Sequence, residues 1–180
     1  MWEAEFIGNN SPVGTLPPGS RFACQLAMRY TGNDVNPLIV YGYGSFIPTG
    51  NLFDIYNKLP FDTLRRNWNI PIFTFSTNAT PQIATAAATS PWDRDCGKWK
   101  RNEETYLPKS RDWGPTNFPI VRYADVLLML AEAECEMNNL GDARAYLNTV
   151  RGRSVASLVN LSQSPDQATL RGIIRDERAR

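Results

Sequence analysis

Proline and aromatic residues are distributed very unevenly along this chain, and this distribution constrains the fold more than any other feature of the sequence. Twelve of the 13 prolines lie at or before Pro119, and 18 of the 20 aromatic residues lie at or before Phe118. Because proline interrupts helices and central strands, residues 1–118 are predicted to be turn-rich, with long irregular loops. Residues 119–180 are rich in Ala, Leu, Arg and Glu and are predicted to be helical. No linker separates the two parts, so we interpret 1–180 as one domain.

The helical part begins with a predicted hairpin. Pro119 is suited to the first turn of a helix, and Gly141 and Asp142 are suited to end one helix and cap the next. An apolar stripe at three- and four-residue steps marks the buried face of the first helix: Ile120, Ala124, Leu127, Leu128, Ala131 and Cys135. Cys135 is therefore predicted to be a buried, reduced thiol.

A third helix is predicted to begin at Ser164-Pro165-Asp166. No Gly, Asn or Pro ends it before Arg180, so its last turn is expected to fray. The last 61 residues hold eight arginines and eight acidic residues, and an ion pair of the Arg122–Glu177 type is expected between helices. In the first part, short elements are predicted at Trp2–Ile7 (strand), Asn51–Lys58 and Phe61–Asn67 (helices), and Ile70–Ser76 and Gly97–Arg101 (strands).

The composition argues against several classes of function. The chain has no histidine, which removes the usual general base and every Ser-His or Cys-His nucleophile. A formal charge of +1 gives no reason to expect nucleic acid as a partner. Three widely spaced cysteines with no CxxC pair do not indicate a zinc site. Asp93 to Gly97 with Glu104 only faintly resembles a calcium loop, since lysines fill it, so no metal or cofactor is expected.

Blocks of residues resemble the carboxy-terminal part of the SusD/RagB family. The first is Trp2–Phe6, and the second runs from Pro48 to Arg65. The third and most specific runs from Gly97 to Arg178, with P-I-V-R-Y-A-D-V-L-L at 119–128 and L-N-T-V-R-G-R at 147–153. Asp125 stands where the family pattern has Glu.

This resemblance implies a fold and a function. The implied fold is mainly α, SusD-like, with long irregular loops, a few short strands and a carboxy-terminal helical hairpin of tetratricopeptide type. The implied function is non-enzymatic capture of oligosaccharide by an outer-membrane surface lipoprotein, which delivers it to a SusC-type TonB-dependent transporter. The family's amino-terminal lobe, signal peptide and lipidated cysteine have no counterpart here, so we expect a partial domain from a longer protein.

Four aromatic residues are predicted to contact the ligand: Tyr41, Tyr43, Trp68 and Trp92. Sugars need flat apolar faces beside polar groups, and all four rings lie in segments rich in turn-forming residues. Each ring has an alternative role in the core. Trp99 is interpreted as a core residue.

Two other functions stay open. The first is a helical-hairpin module that binds another protein, although such a module would not need the aromatic-rich first part. The second is a SusD-like protein whose ligand is a peptide. A glycosidase is disfavoured, because the adjacent acids Glu103 and Glu104 would point to opposite faces of an extended segment.

Overall fold

The computed structural model describes residues 2–4, 19–30, 41–75, 85–86, 90–105, 109–154 and 156–180. The helices are α1 (Phe22–Leu26), α2 (Gly50–Asn57), α3 (Thr63–Asn69), α4 (Tyr123–Glu136), α5 (Leu140–Gly152) and α6 (Gln167–Ala179). The strands are β1 (Trp2–Ala4), β2 (Phe73–Thr74), β3 (Thr85–Ala86) and β4 (Phe118–Val121), and single turns of 3-10 helix lie at Pro91–Asp93 and Arg101–Glu103. The prediction of a mainly helical fold with irregular loops and a few short strands is confirmed.

The strands form two small sheets. β1 pairs with β4, and β2 pairs antiparallel with β3, with Phe73 opposite Ala86. The chain divides into two compact units. The helical unit comprises residues 1–2, 50–66 and 121–180, and the loop-rich unit comprises residues 3–49 and 67–120.

The core of the helical unit lies where α4, α5 and α6 pack together. α4 and α5 form the predicted hairpin, joined by a turn in which Asn138 has a φ of 64°, the left-handed conformation that Asn tolerates. The buried side chains of this core are Leu127, Leu128, Ala131, Cys135, Ala143, Leu147, Val150, Val159, Leu170 and Ile174. Each large aliphatic side chain in it stabilises the fold by about 1.5–3 kcal/mol relative to exposure. The burial of Cys135 is confirmed, and its thiol is free.

The predicted ends of the α4–α5 hairpin are wrong. Pro119 lies in strand β4, where a missing N–H is tolerated at an edge, and Ile120 is about half exposed. α4 begins four residues later, and the Asp125 carboxylate accepts a hydrogen bond of 3.0 Å from the Arg122 N–H at its start. Gly141 lies within the first turn of α5 rather than at the end of α4.

A buried cluster of ion pairs around Glu177 stabilises the helical unit. Its carboxylate accepts from Arg151 at 2.5 Å, from Arg65 at 2.5 Å and from Arg180 at 3.3 Å. Arg180 also donates to the main-chain carbonyl of Ile55 at 2.6 Å, and its side chain is only 1% exposed. The expected fraying of the last turn is therefore wrong, because a buried ion pair holds it. Glu177 was expected to pair with Arg122, but it pairs instead with these three arginines.

The loop-rich unit is held by backbone contacts between segments distant in sequence. Tyr30 and Gly42 exchange N–H···O hydrogen bonds of 3.0 and 3.1 Å, and Ser20 and Gly114 form a second such bridge. A Cβ at Gly42 would lie 2.1 Å from the Met28 carbonyl oxygen, so only glycine permits this approach. The strand predicted at Gly97–Arg101 is wrong, because this segment is irregular and ends in a 3-10 turn.

Candidate functional site

The loop-rich unit contains a groove with a volume of about 290 Å³, which we call the Trp68 groove. Its lining combines two indole rings with charged and hydroxyl groups: Trp68, Trp99, Lys98, Lys100, Arg101, Glu103, Glu104, Thr105, Pro115 and Thr116. Aromatic faces beside a small number of polar groups are the usual composition of a small-molecule site.

Trp68 is placed by the end of α3 and by a close backbone contact. The Gly97 N–H donates to the Asn69 carbonyl at 2.9 Å. A Cβ at Gly97 would lie 2.3 Å from the Trp68 carbonyl oxygen and 2.7 Å from Pro71 Cδ, so no larger residue fits there. This contact brings the segment that follows Gly97 against Trp68, whose side chain stays 47% exposed.

Lys100 lies over the Trp68 ring. Its ammonium nitrogen is 3.5 Å from the Trp68 ring centroid and 5.6 Å from the Phe73 centroid, which is cation–π geometry. Burial lowers the pKa of the Lys100 ammonium, and the Glu103 carboxylate opposes this shift only in part. Within the described part of the chain, no carboxylate lies within 4.0 Å of this ammonium. Its partners are therefore aromatic rings rather than an acid.

Arg101 is the structural centre of the site. Its guanidinium is almost completely buried and forms an ion pair with the Glu104 carboxylate at 2.9 Å. It also donates to four main-chain carbonyls, at 2.6–3.0 Å, which are those of Tyr41, Ser110, Arg111 and Trp113. One buried side chain thus fixes three segments of the unit relative to one another.

Tyr41 and Tyr43 form an aromatic pair next to this centre. Their ring centroids are 4.8 Å apart with an interplanar angle of 77°, an edge-to-face contact. The Arg111 guanidinium lies 4.4 Å from the Tyr41 centroid. The Tyr43 hydroxyl donates to Asp112 at 3.2 Å, and the Tyr43 ring is 38% exposed. Neither ring lines the groove, and the Arg101 hydrogen bond to the Tyr41 carbonyl links the pair to it.

Trp92 and Trp99 complete the set of candidate rings. The backbone of Trp92 lies in the 3-10 turn at Pro91–Asp93, and its side chain is outside the described residues, so its role stays a prediction. Trp99 was predicted to be core. Its ring does pack edge-to-face on Phe22, with centroids 4.9 Å apart, but it also lines the groove.

The acidic residues near the groove are held in structural contacts. Glu104 is bound by Arg101, while Glu103 is exposed and accepts from the Asn102 amide at 2.8 Å. Asp95, from the segment that faintly resembles a calcium loop, is buried and accepts from the Arg29 N–H at 3.0 Å. In the described ranges, no group of three or more Cys, Asp and Glu residues is arranged to hold a metal ion.

Comparison with known proteins identifies the family. The model of the SusD family matches residues 78–180, which is more than half of the chain. The chain belongs to the SusD family. The lysines, Arg101 and Trp99 of the groove lie inside the matched region of this SusD family member, whereas Trp68 and the tyrosine pair precede it. No curated protein matches the chain.

A solved structure supports the same fold. The crystal structure of a SusD homolog from Bacteroides thetaiotaomicron has a TM-score of 0.71 and 21% sequence identity to this chain. The match covers 98% of this chain and 37% of that chain, so this SusD family member spans little more than a third of that protein's length. Among the described helices, none has both the length and the apolarity needed to cross a bilayer.

Proposed function

We propose that this chain binds an oligosaccharide in the Trp68 groove and does not transform it. The observation that carries the proposal is the exposed Trp68 ring in a groove whose other walls hold ammonium, carboxylate and hydroxyl groups. Sugar rings offer C–H faces that pack on indole, and their hydroxyls bind polar side chains at the edges. Glu104 is bound to a buried arginine, which supports binding over acid–base catalysis.

Membership of the SusD family supports a wider role in the proposal. The protein captures oligosaccharide at the bacterial cell surface, as an outer-membrane lipoprotein, and passes it to a SusC-type TonB-dependent transporter. The near-neutral charge supports a partner other than nucleic acid.

Tyr41, Tyr43 and Trp92 are proposed as further ligand contacts. Tyr43 offers an exposed ring whose hydroxyl is fixed by Asp112. Tyr41 supports Tyr43 through the edge-to-face contact and is itself held by Arg101 and Arg111. Trp92 is proposed from its sequence context alone.

The test is the affinity of Trp68→Ala for an oligosaccharide panel, measured by calorimetry together with thermal stability. Loss of one ring contact weakens binding by about 2- to 12-fold, and the lost apolar area weakens it further. Tyr123→Ala is the matched control, because Tyr123 is 70% exposed and does not line the groove. Unchanged affinity in Trp68→Ala, or equal losses in both variants, would refute the site.

A second candidate function is protein binding through the helical hairpin. The outer face of α4 carries an exposed apolar stripe at helical spacing, formed by Tyr123, Val126 and Leu130. Exposed stripes of this kind are typical of protein contacts. Sedimentation velocity of wild type and Leu130→Glu, with and without a purified SusC-type transporter, tests this candidate. Association that the variant loses supports it, and no association in either sample eliminates it.

A further inference from the structure

The charges that line the Trp68 groove do not balance once the internal ion pair is set aside. Arg101 and Glu104 neutralise each other, and their side chains are only 2% and 6% exposed. The other charged residues in the lining are Lys98, Lys100 and Glu103, two cations and one anion. Glu103 is exposed and already accepts a hydrogen bond from Asn102. The groove therefore presents excess positive charge next to its exposed indole ring.

Lys100 places most of this excess positive charge beside the Trp68 ring, where the sugar is proposed to lie. Its ammonium is half-buried, 3.5 Å from the Trp68 centroid, and has no described carboxylate within ion-pair distance. A partly desolvated cation whose charge is only partly compensated gains more from an added anion than a fully solvated lysine does. The reduced pKa of Lys100 is consistent with this incomplete compensation.

We propose that the ligand of the Trp68 groove is an oligosaccharide that carries an anionic substituent, a carboxylate or a sulfate. Lys100 binds the anionic group, Lys98 adds to the attractive field, and the sugar that bears the group lies against the exposed part of the Trp68 ring. This inference rests on the proposed glycan-binding function of the same groove and specifies its substrate class.

The experiment is a binding measurement on an immobilised panel of neutral, uronic-acid-containing and sulfated oligosaccharides of equal length. Tetragalacturonate and its methyl ester form a matched pair that differs in charge, and a sulfated galactose tetramer distinguishes sulfate from carboxylate. Wild type is expected to prefer anionic members, with an affinity that falls as NaCl rises from 0.05 to about 0.5 M, because salt screens the charges.

Three variants separate charge from folding. Lys100→Met keeps an apolar chain over Trp68 and is expected to lose about 10-fold in affinity for anionic members, while neutral members are unaffected. Lys100→Arg retains the charge and is expected to retain the preference. Lys58→Met removes one charge from an exposed lysine that does not line the groove, and it is expected to change nothing.

The outcomes distinguish this inference from the function on which it rests. If wild type binds neutral members equally well, or if Lys100→Met keeps the anionic preference, the inference is overturned, although a loss in Trp68→Ala would still support glycan binding. If no member of the panel is bound, both the inference and the proposed function fail.

Discussion

Replacement of Arg101 by methionine is expected to destabilise the loop-rich unit more than any surface substitution there. The arginine side chain is 2% exposed and the Glu104 side chain 6%, so the variant leaves a carboxylate buried without its partner. Removal of one member of a buried ion pair costs about 3–5 kcal/mol of folding free energy. The same change leaves the main-chain carbonyls of Tyr41, Ser110, Arg111 and Trp113 without their donor.

Urea denaturation followed by tryptophan fluorescence measures this loss selectively. Four of the five tryptophans lie in the loop-rich unit, at 68, 92, 99 and 113, so the emission reports mainly on that unit. With a urea dependence of about 1–3 kcal/mol per molar, the midpoint is expected to fall by about 1–5 M. Far-ultraviolet circular dichroism follows the helical unit separately.

Two further variants make the result interpretable. Arg21→Met is the control, because Arg21 is 55% exposed and its ion pair with Asp112 is long, at 3.9 Å. Removal of this ion pair should cost less than about 1 kcal/mol of folding free energy. In the double variant Arg101→Met/Glu104→Met no buried charge is left alone, and it should recover part of the stability. Equal, small losses in Arg101→Met and Arg21→Met would show that Arg101 does not organise the site.

Three other substitutions or reactions test the remaining features. Glu177→Gln leaves three clustered arginines without their shared carboxylate, so helix unfolding in urea should show a loss of about 3–5 kcal/mol, and a loss below about 1 kcal/mol would contradict the cluster. Cys96 should be the one thiol that reacts rapidly with a disulfide reagent in the folded protein, because Cys24 is buried and burial raises its pKa; rapid reaction of all three would count against this. Asp166→Ala should destabilise α6 near neutral pH, since Asp166 accepts from the Thr169 N–H. That hydrogen bond lowers the Asp166 pKa, so the difference from wild type should shrink as the pH falls through this pKa, and a constant difference would contradict the cap.

The helices were predictable from the sequence, but their ends were not. The stripe of Leu127, Leu128, Ala131 and Cys135 lies within a few turns, so its spacing alone specifies the buried face. Pro119 suits both the first turn of a helix and an edge strand, and here it lies in β4, which pairs with β1 more than 100 residues earlier. The residues around Pro119 carry no information about its pairing with so distant a strand.

The candidate site shows the same division between local and long-range information. Trp68 was predicted as a ligand contact from its breaker-rich context, with a core role as the alternative, and its ring is exposed. Lys100 and Arg101 were not predicted as site residues, because their roles depend on contacts with distant segments. Arg101 binds a carbonyl 60 residues away, and Lys100 reaches Trp68 only because Gly97 packs on the end of α3. The available signal in the sequence was that a lysine lies on each side of Trp99. The tetratricopeptide type of the hairpin stays a prediction.

The most direct test of the account follows the five indole N–H resonances of the protein while an oligosaccharide is added. The Trp68 signal is assigned by its disappearance in Trp68→Phe. Because Trp68 and Trp99 line the groove, the account predicts that these two resonances shift on titration and that the resonance of Trp113, which does not line the groove, does not. Saturable binding that leaves the Trp68 and Trp99 resonances unmoved would place the ligand elsewhere and contradict the central claim.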